Sequence, residues 1–182
     1  MLAAALAALA GCAGPGPKGT PPARNFDLGT SVPASRLTNV RLGLVRAVEP
    51  FESLDMIYRL AYRDGAEVSS YTESRWAAPP AVMLRTRLAR ATEPTSGAHC
   101  TLDIELLEFS QVFDTRETSM AMIEVRAVLS DAAARVSARS LRVTQEGAGN
   151  AASGGASALV RAADRLIADL GAWAAQQAVC RP

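Results

Sequence analysis

The chain has 182 residues, of which 49% are hydrophobic and 20% charged, and 19 basic and 18 acidic side chains leave a net charge of +1. This composition is typical of a soluble globular protein and long enough for one domain with a substantial core. The near-neutral balance gives no basic surface for nucleic acid, which we exclude as a partner.

The N-terminus resembles a bacterial lipoprotein signal. Residues 1–11 carry no charge and end in Leu9, Ala10 and Gly11 ahead of Cys12, which is the order of a lipobox. The stretch is too short to span a bilayer, which needs about 20 residues. We interpret 1–11 as a signal peptide lacking its basic n-region, and Cys12 as the acylated first residue of the mature protein. The alternative is an Ala-rich N-terminus with a chance cysteine.

Lipidation of Cys12 would leave two further cysteines, Cys100 and Cys180. In an oxidising periplasm these two could form one disulfide that closes a loop of about 80 residues. Two buried free thiols are the alternative. His99 is the only histidine and no Cys-x-x-Cys occurs, so we predict neither a metal site nor a cofactor.

A tether and a single domain follow the signal. Residues 12–25 comprise Cys12 and a segment rich in proline and glycine, which is typical of an extended linker reaching up to about 40 Å. We predict one domain over residues 26–182.

The first part of this domain predicts two strands, a hairpin and a helix. Apolar residues alternate with polar or small ones at 40–44 and at 56–62. Asp64 and Gly65 predict a turn, after which the chain returns through 67–71. Pro80 suits the first turn of a helix. Three arginines of this helix are expected largely outside the core: Arg85, Arg87 and Arg90.

The remainder predicts an antiparallel meander and a second helix. Three alternating stretches lie at about 102–109, 120–129 and 135–144, and a break in the alternation at Leu106 and Leu107 predicts a bulge. Residues 147–155 are expected to form a loop before a helix at about 156–178. Because the first helix joins two strands that could pair in parallel, we predict an α/β fold with a mixed, mainly antiparallel sheet and two main helices.

No catalytic arrangement is recognisable. His99 precedes Cys100 at the start of a strand, where adjacent side chains point to opposite faces. The acidic residues Asp103, Glu105 and Glu108 fit a solvated sheet face, and Ser153 does not match a nucleophile elbow. We therefore expect a protein that is not an enzyme.

Four segments together resemble the ABC-type transport auxiliary lipoprotein family, which includes paraquat-inducible protein C. They are residues 26–29, 56–62, 71–80 and 105–113. The most specific segment contains Tyr71, Ser74, Arg75 and Trp76, followed by Pro79 and Pro80. The likeness runs from about residue 26 to residue 175.

This resemblance implies a lipoprotein of the Gram-negative outer membrane that faces the periplasm. Its function would be that of an auxiliary subunit in a system moving lipids between the two membranes. The implied partners are a periplasmic protein with mammalian-cell-entry domains and an ABC permease with its ATPase. The family has no known catalytic residues. The alternative function is a lipoprotein regulator that activates an envelope enzyme such as a peptidoglycan synthase.

Tyr71, Arg75 and Trp76 admit two interpretations. Either Trp76 caps the core where a strand ends, or the three residues contact a partner, since exposed Arg and Trp are favoured interface anchors. The apolar stripes amount to what one sheet needs to pack on two helices. We therefore expect the protein to act by contacting other proteins rather than by holding lipid in a cavity. Self-assembly into a symmetric oligomer is a further option.

Overall fold

The structure, a computed structural model, describes residues 22–93, 98–134, 136–147 and 149–180. The predicted signal peptide, Cys12 and most of the tether lie outside the described residues. Seven strands and two α-helices form the described part. They are β1 (Arg24–Phe26), β2 (Val40–Ala47), β3 (Asp55–Leu60), β4 (Asp64–Trp76), α1 (Pro80–Ala91), β5 (Cys100–Phe113), β6 (Ser119–Ser130), β7 (Val136–Glu146) and α2 (Ala152–Gln176). A short 3-10 helix, Ala178–Cys180, follows α2.

The strands form one mixed sheet in the order β1-β4-β3-β5-β6-β7, with β2 also paired to β5. The pairs β3–β4, β5–β6 and β6–β7 are antiparallel, whereas β1–β4, β2–β5 and β3–β5 are parallel. The predicted α/β class and the meander are therefore confirmed. The expected parallel pairing of the strands on either side of α1 is wrong, because β3 lies between β4 and β5.

Strand β5 is long enough to hold two neighbours along one edge. Its first half pairs with β2 as far as Leu106, and its last three residues pair with β3. The predicted bulge is present, since the pairing with β6 shifts register between Leu106 and Glu108. The bulge thus lies between the segment that holds β2 and the segment that holds β3.

The hairpin between β3 and β4 turns earlier than predicted. Leu60 pairs with Asp64, and the Arg63 N–H donates to the Leu60 carbonyl over 2.8 Å, so residues 61–63 form the turn. Asp64 instead starts β4, where its Oδ1 accepts from the Ala66 N–H at 2.9 Å. The prediction of a turn at Asp64 and Gly65 is wrong by about two residues.

Both helices pack on one face of the sheet, α1 on β2 and α2 on β5, β6 and β7. The predicted loop over 147–155 is too long, because α2 begins at Ala152. A Cβ at Gly155 would overlap the side-chain amide of Gln111 on β5. Small residues therefore let the first turn of α2 approach the sheet closely, and this packing favours helix where the local sequence predicts a loop.

Arg87 is buried, contrary to the expectation that it lies outside. Its side chain is 1% exposed, and its Nε and Nη2 donate to the two carboxylate oxygens of Asp164 on α2 at 2.7 and 2.8 Å. Its Nη1 donates to the Leu28 carbonyl. Since the partner lies 77 residues further along the chain, helical periodicity alone could not have indicated this contact.

Cys100 and Cys180 form a disulfide with a Cα–Cα distance of 4.8 Å. The bond joins the first residue of β5 to the 3-10 helix that follows α2. The predicted pairing is therefore confirmed, and it fixes the segment that follows α2 to the start of β5.

Candidate interaction surface

Three of the segments that carry the family resemblance lie side by side in the sheet. Residues 56–62 cover most of β3 and of the hairpin turn, and 71–80 cover the end of β4 and the start of α1. Residues 105–113 are the last nine residues of β5. Strands β4, β3 and β5 are consecutive neighbours. Segments that are separate in sequence thus form one continuous region of the fold.

Aromatic side chains concentrate on this region. The rings of Tyr58 and Tyr71 have centroids 4.8 Å apart, and Phe113 packs edge-on to Tyr58 at 6.0 Å. We call Tyr58, Tyr71 and Phe113 the tyrosine face. The two tyrosines are half-buried, because among the described residues α1 and α2 pack mainly on β2 and on β5–β7. The hairpin also carries Tyr62, so all three tyrosines of the chain lie within 14 residues.

A chain of hydrogen bonds fixes Tyr71 to the sheet. The Tyr71 hydroxyl donates to Gln111 Oε1 at 2.9 Å, and Gln111 Nε2 donates to Ser119 Oγ at 2.7 Å. Ser119 Oγ in turn donates to the Gly149 carbonyl at 3.1 Å. Gln111 and Ser119 are both buried. Because each buried polar group has a partner, the network holds the Tyr71 ring in one position.

The protonation of Tyr71 follows from this setting. Burial of the phenol, and secondarily the neighbouring Tyr58, raise the pKa of Tyr71 to about 12. Desolvation disfavours the phenolate, which would also lose the hydrogen bond to Gln111. Tyr71 is therefore a hydrogen-bond donor throughout the physiological range.

The raised pKa of Tyr71 predicts a loss of stability in strong alkali. The unfolded chain loses this proton near pH 10 and the folded chain only near pH 12, so between these values the folded state binds more protons. The free energy of unfolding should therefore fall as pH rises from about 10 to 12. Urea unfolding at pH 9, 10 and 11 should show that Tyr71→Phe loses less stability than the wild type.

The same substitution at the exposed Tyr62 is the matched control, and that variant should keep the alkaline loss because Tyr71 is still present. Equal slopes of stability against pH for the wild type and Tyr71→Phe would contradict the assignment.

The other two candidate contact residues differ in position. Arg75 is exposed on β4. Trp76 is only 1% exposed, and its ring packs edge-on to Phe109 with centroids 5.4 Å apart. This burial favours the core-capping interpretation and removes Trp76 from the candidate partner contacts.

Sequence reasoning did not select Gln111 or Phe113 for this surface. The sequence signal for them is the spacing of Phe109, Gln111 and Phe113, which places a polar residue between two aromatic residues on one face of the strand. Tyr58 was placed on a strand face but not related to Tyr71, because that relation depends on the hairpin register, in which Tyr58 pairs with Ser69.

Two further properties of the described residues concern the requirements of a membrane-spanning helix and of a metal site. None of the helices in the described ranges has the length and hydrophobicity of a membrane span. In the same part of the chain, no group of three or more His, Cys, Asp or Glu side chains is placed to hold a metal ion.

The clefts of the described surface differ in their walls. A cleft of about 180 Å³ between residues 27–29 and the first turns of α1 has mainly apolar walls, which include Leu28, Val82 and Met83. One cleft of about 420 Å³ lies on the sheet face opposite the helices, between β2, β5 and β6. Its walls include four charged side chains: Arg46, Asp103, Glu105 and Arg126. Arg46 and Glu105 form an ion pair at 2.8 Å. Such walls suit water and ionic groups rather than an acyl chain.

Comparison with known proteins identifies the fold. The crystal structure of protein XCC0632 from Xanthomonas campestris, assigned to the family DUF330, matches with a TM-score of 0.69 and 19% identity, covering 83% of this chain and 94% of that one. The crystal structure of an uncharacterized protein matches with a TM-score of 0.65 and 13% identity, covering 84% of this chain and 98% of that one.

A third match, to a candidate lipoprotein from Caulobacter crescentus CB15, has a TM-score of 0.33 and 22% identity over 53% of this chain and 84% of that one, too low to support an argument. No family model and no curated protein sequence matches the chain. The chain therefore shares the fold of a DUF330 protein over most of both lengths.

Proposed function

We propose that this protein is a non-catalytic lipoprotein subunit of an ABC-type system for lipid transport between the two membranes of a Gram-negative bacterium. In this proposal acylated Cys12 anchors it to the outer membrane, and the domain binds periplasmic partners. The observation that carries the proposal is the continuity of the resembling segments, which lie on β4, β3 and β5 around the tyrosine face.

The composition of the tyrosine face supports binding to a protein. Tyrosine and arginine are enriched in protein interfaces, because they combine a large contact area with hydrogen bonding. Tyr58 and Tyr71 are half-exposed. Exposed Arg75 lies further along β4 and is a separate candidate contact outside the tyrosine face, since its neighbour Trp76 points into the core. The partner that the resemblance implies is a protein with mammalian-cell-entry domains, acting with an ABC permease and ATPase.

The sizes and walls of the clefts support an adaptor over a lipid carrier, because the cleft with mainly apolar walls measures only about 180 Å³. A pocket for a small molecule is usually lined mainly by apolar side chains, whereas the cleft opposite the helices has an ion pair in its wall. The shared DUF330 fold is consistent with this role, although it specifies no ligand.

The proposal is tested by capture of the partner and by lipid analysis. We expect the purified protein to retain a mammalian-cell-entry-domain protein and to lose it in the Arg75→Glu variant. Arg41→Glu, at another exposed arginine on β2, is the matched control and should still bind. Native mass spectrometry should show a protein free of phospholipid.

Stoichiometric co-purified phospholipid would overturn the adaptor role, and capture of a peptidoglycan synthase would favour the regulator instead. Mass spectrometry of envelope protein should show acyl mass on a peptide that begins at Cys12. An unmodified Met1 would contradict the anchor.

A further inference from the structure

We propose that the outer edge of β7, together with the adjoining side of α2, binds an extended acidic segment of a partner polypeptide by strand addition. This surface, here called the β7 edge, is at the far end of the sheet from β1 and β4. The inference goes beyond the proposed function, because it concerns a second surface and holds whichever partner the tyrosine face binds.

The β7 edge is long and regular. All 11 residues of β7 pair with β6 without a shift of register, from Val136 opposite Ser130 to Glu146 opposite Met120. No strand of the described residues pairs with its other side, and the strand contains no proline. Natural sheets usually protect such an edge, because its free N–H and C=O groups can accept another strand.

Strand β2, in contrast to β7, is irregular, and side chains bind some of its backbone groups. The pairing of β2 with β5 shifts register between Leu42 and Val45. There the Leu44 N–H donates to Asp103 Oδ1 at 2.6 Å, and the Gly43 carbonyl accepts from Arg85 Nη1 at 2.6 Å. Side chains thus hold two backbone groups of β2 at its bulge. On β7 one comparable contact occurs at the last residue, where Arg161 Nη2 donates to the Glu146 carbonyl at 2.7 Å, so the inference concerns the edge before Glu146.

Two clefts run along the β7 edge. Their volumes are about 450 and 310 Å³, and together they are lined by every residue from Arg139 to Gln145 and by one side of α2. Consecutive strand residues point to opposite faces, so a cleft lined by all of them must follow the strand's edge. Its floor includes Leu141 and Trp173, both nearly buried. The space therefore suits a chain lying parallel to β7.

The excess of arginine in the walls of the two clefts indicates that the partner segment is acidic. Three arginines line them, Arg139, Arg142 and Arg165, against the single acidic residue Asp169. Arg142 is paired with Glu124 and Arg165 with Asp169. Arg139 makes no hydrogen bond or ion pair within the described structure. A segment carrying carboxylates would supply the missing counter-charge.

Two other occupants fit this charge less well. Symmetric pairing with a second copy would place the cationic edge against itself, since such an interface uses the same patch twice. The chain's own residues 12–23 contain Lys18 and no acidic side chain. Charge complementarity therefore favours an acidic segment from a different polypeptide.

Hydrogen exchange with a synthetic peptide tests the inference. The probe is a nine-residue peptide that alternates glutamate with valine or threonine. We expect it to slow amide exchange within Val136–Glu146 and to leave the free part of the other exposed strand, residues 64–73, unchanged. Arg139→Glu should weaken binding about fivefold, because it removes and reverses one exposed charge. Arg41→Glu on β2 should bind as the wild type does.

Four results would overturn the inference. The first is unchanged exchange of β7 at saturating peptide. The second is equal binding of a peptide with lysine in place of glutamate, because charge would then not be recognised. The third is equal binding of a peptide N-methylated at alternate residues, because strand addition requires those N–H groups. The fourth is concentration-dependent protection of β7 without peptide, which would assign the edge to a second copy.

Discussion

Removal of the Cys100–Cys180 disulfide is expected to lower the free energy of unfolding by about 4 kcal/mol, because the bond closes a loop of 80 residues and restricts the unfolded chain. Cys180→Ala is the direct variant. Urea unfolding of this variant, compared with the oxidised wild type, measures the loss.

Two comparisons separate the bond from the packing of the sulfur atoms. The reduced wild type and the double variant Cys100→Ala with Cys180→Ala should both lose about as much stability as Cys180→Ala. If reduction leaves the unfolding midpoint unchanged, or if both thiols of the untreated native protein react with an alkylating reagent, the disulfide does not stabilise the fold as described.

Asp164→Ala is expected to destabilise the protein by about 2 kcal/mol, between the values for buried and for exposed ion pairs. Arg87 would remain buried with its charge and keep only the Leu28 carbonyl as acceptor. Only the arginine of this pair is buried, since the Asp164 side chain is 40% exposed. Removing Asp164 still leaves a buried charge without its counter-charge, which costs more than removing the whole pair. We therefore expect the double variant Arg87→Met with Asp164→Ala to recover part of the loss.

The matched control lies on the same helix. Asp169 pairs with Arg165 at 3.1 Å, but the arginine side chain is 69% exposed, so Asp169→Ala should change the stability by less than about 0.5 kcal/mol. Thermal or urea unfolding measures all four proteins. Similar losses for Asp164→Ala and Asp169→Ala would show that burial of Arg87 adds nothing to the value of its ion pair.

The parts of the fold that were predicted correctly depend on short-range patterns. Alternation along β5 and β6 indicated both strands, and two consecutive apolar residues at Leu106 and Leu107 showed where the alternation breaks. Pro80 marked the start of α1. The disulfide followed from the count of cysteines once Cys12 was assigned to lipid.

The errors share one physical cause, which is a partner distant in sequence. Arg87 lies on the side of α1 expected to face solvent, and only Asp164 on α2 explains its burial. Residues 152–155 favour a loop locally, and packing of Gly155 against Gln111 makes them helical. Strand β1 has three residues and no alternation, so only its pairing with β4 defines it.

The candidate surface was predictable only in part. Tyr71 and Arg75 were identified from one continuous segment. The tyrosine face and its network needed the register of three strands and the position of Ser119, none of which a linear pattern contains.

The double pairing of β5 has a consequence for how the protein folds. Strands β6 and β7 follow β5 after short links. The residues of β2 that pair with β5 lie about 60 residues before it in sequence, as the pairing of Val40 with Cys100 shows. Contacts between distant residues carry a larger entropic cost of loop closure and slow the folding of small domains. A nascent chain that ends before Cys100 has made β2 and β3 but not the strand that joins them. The β3–β4 hairpin and its pairing with β1 need no later residue. Among the described strands β2 pairs with β5, so its apolar side is exposed to chaperones and proteases until β5 is synthesised.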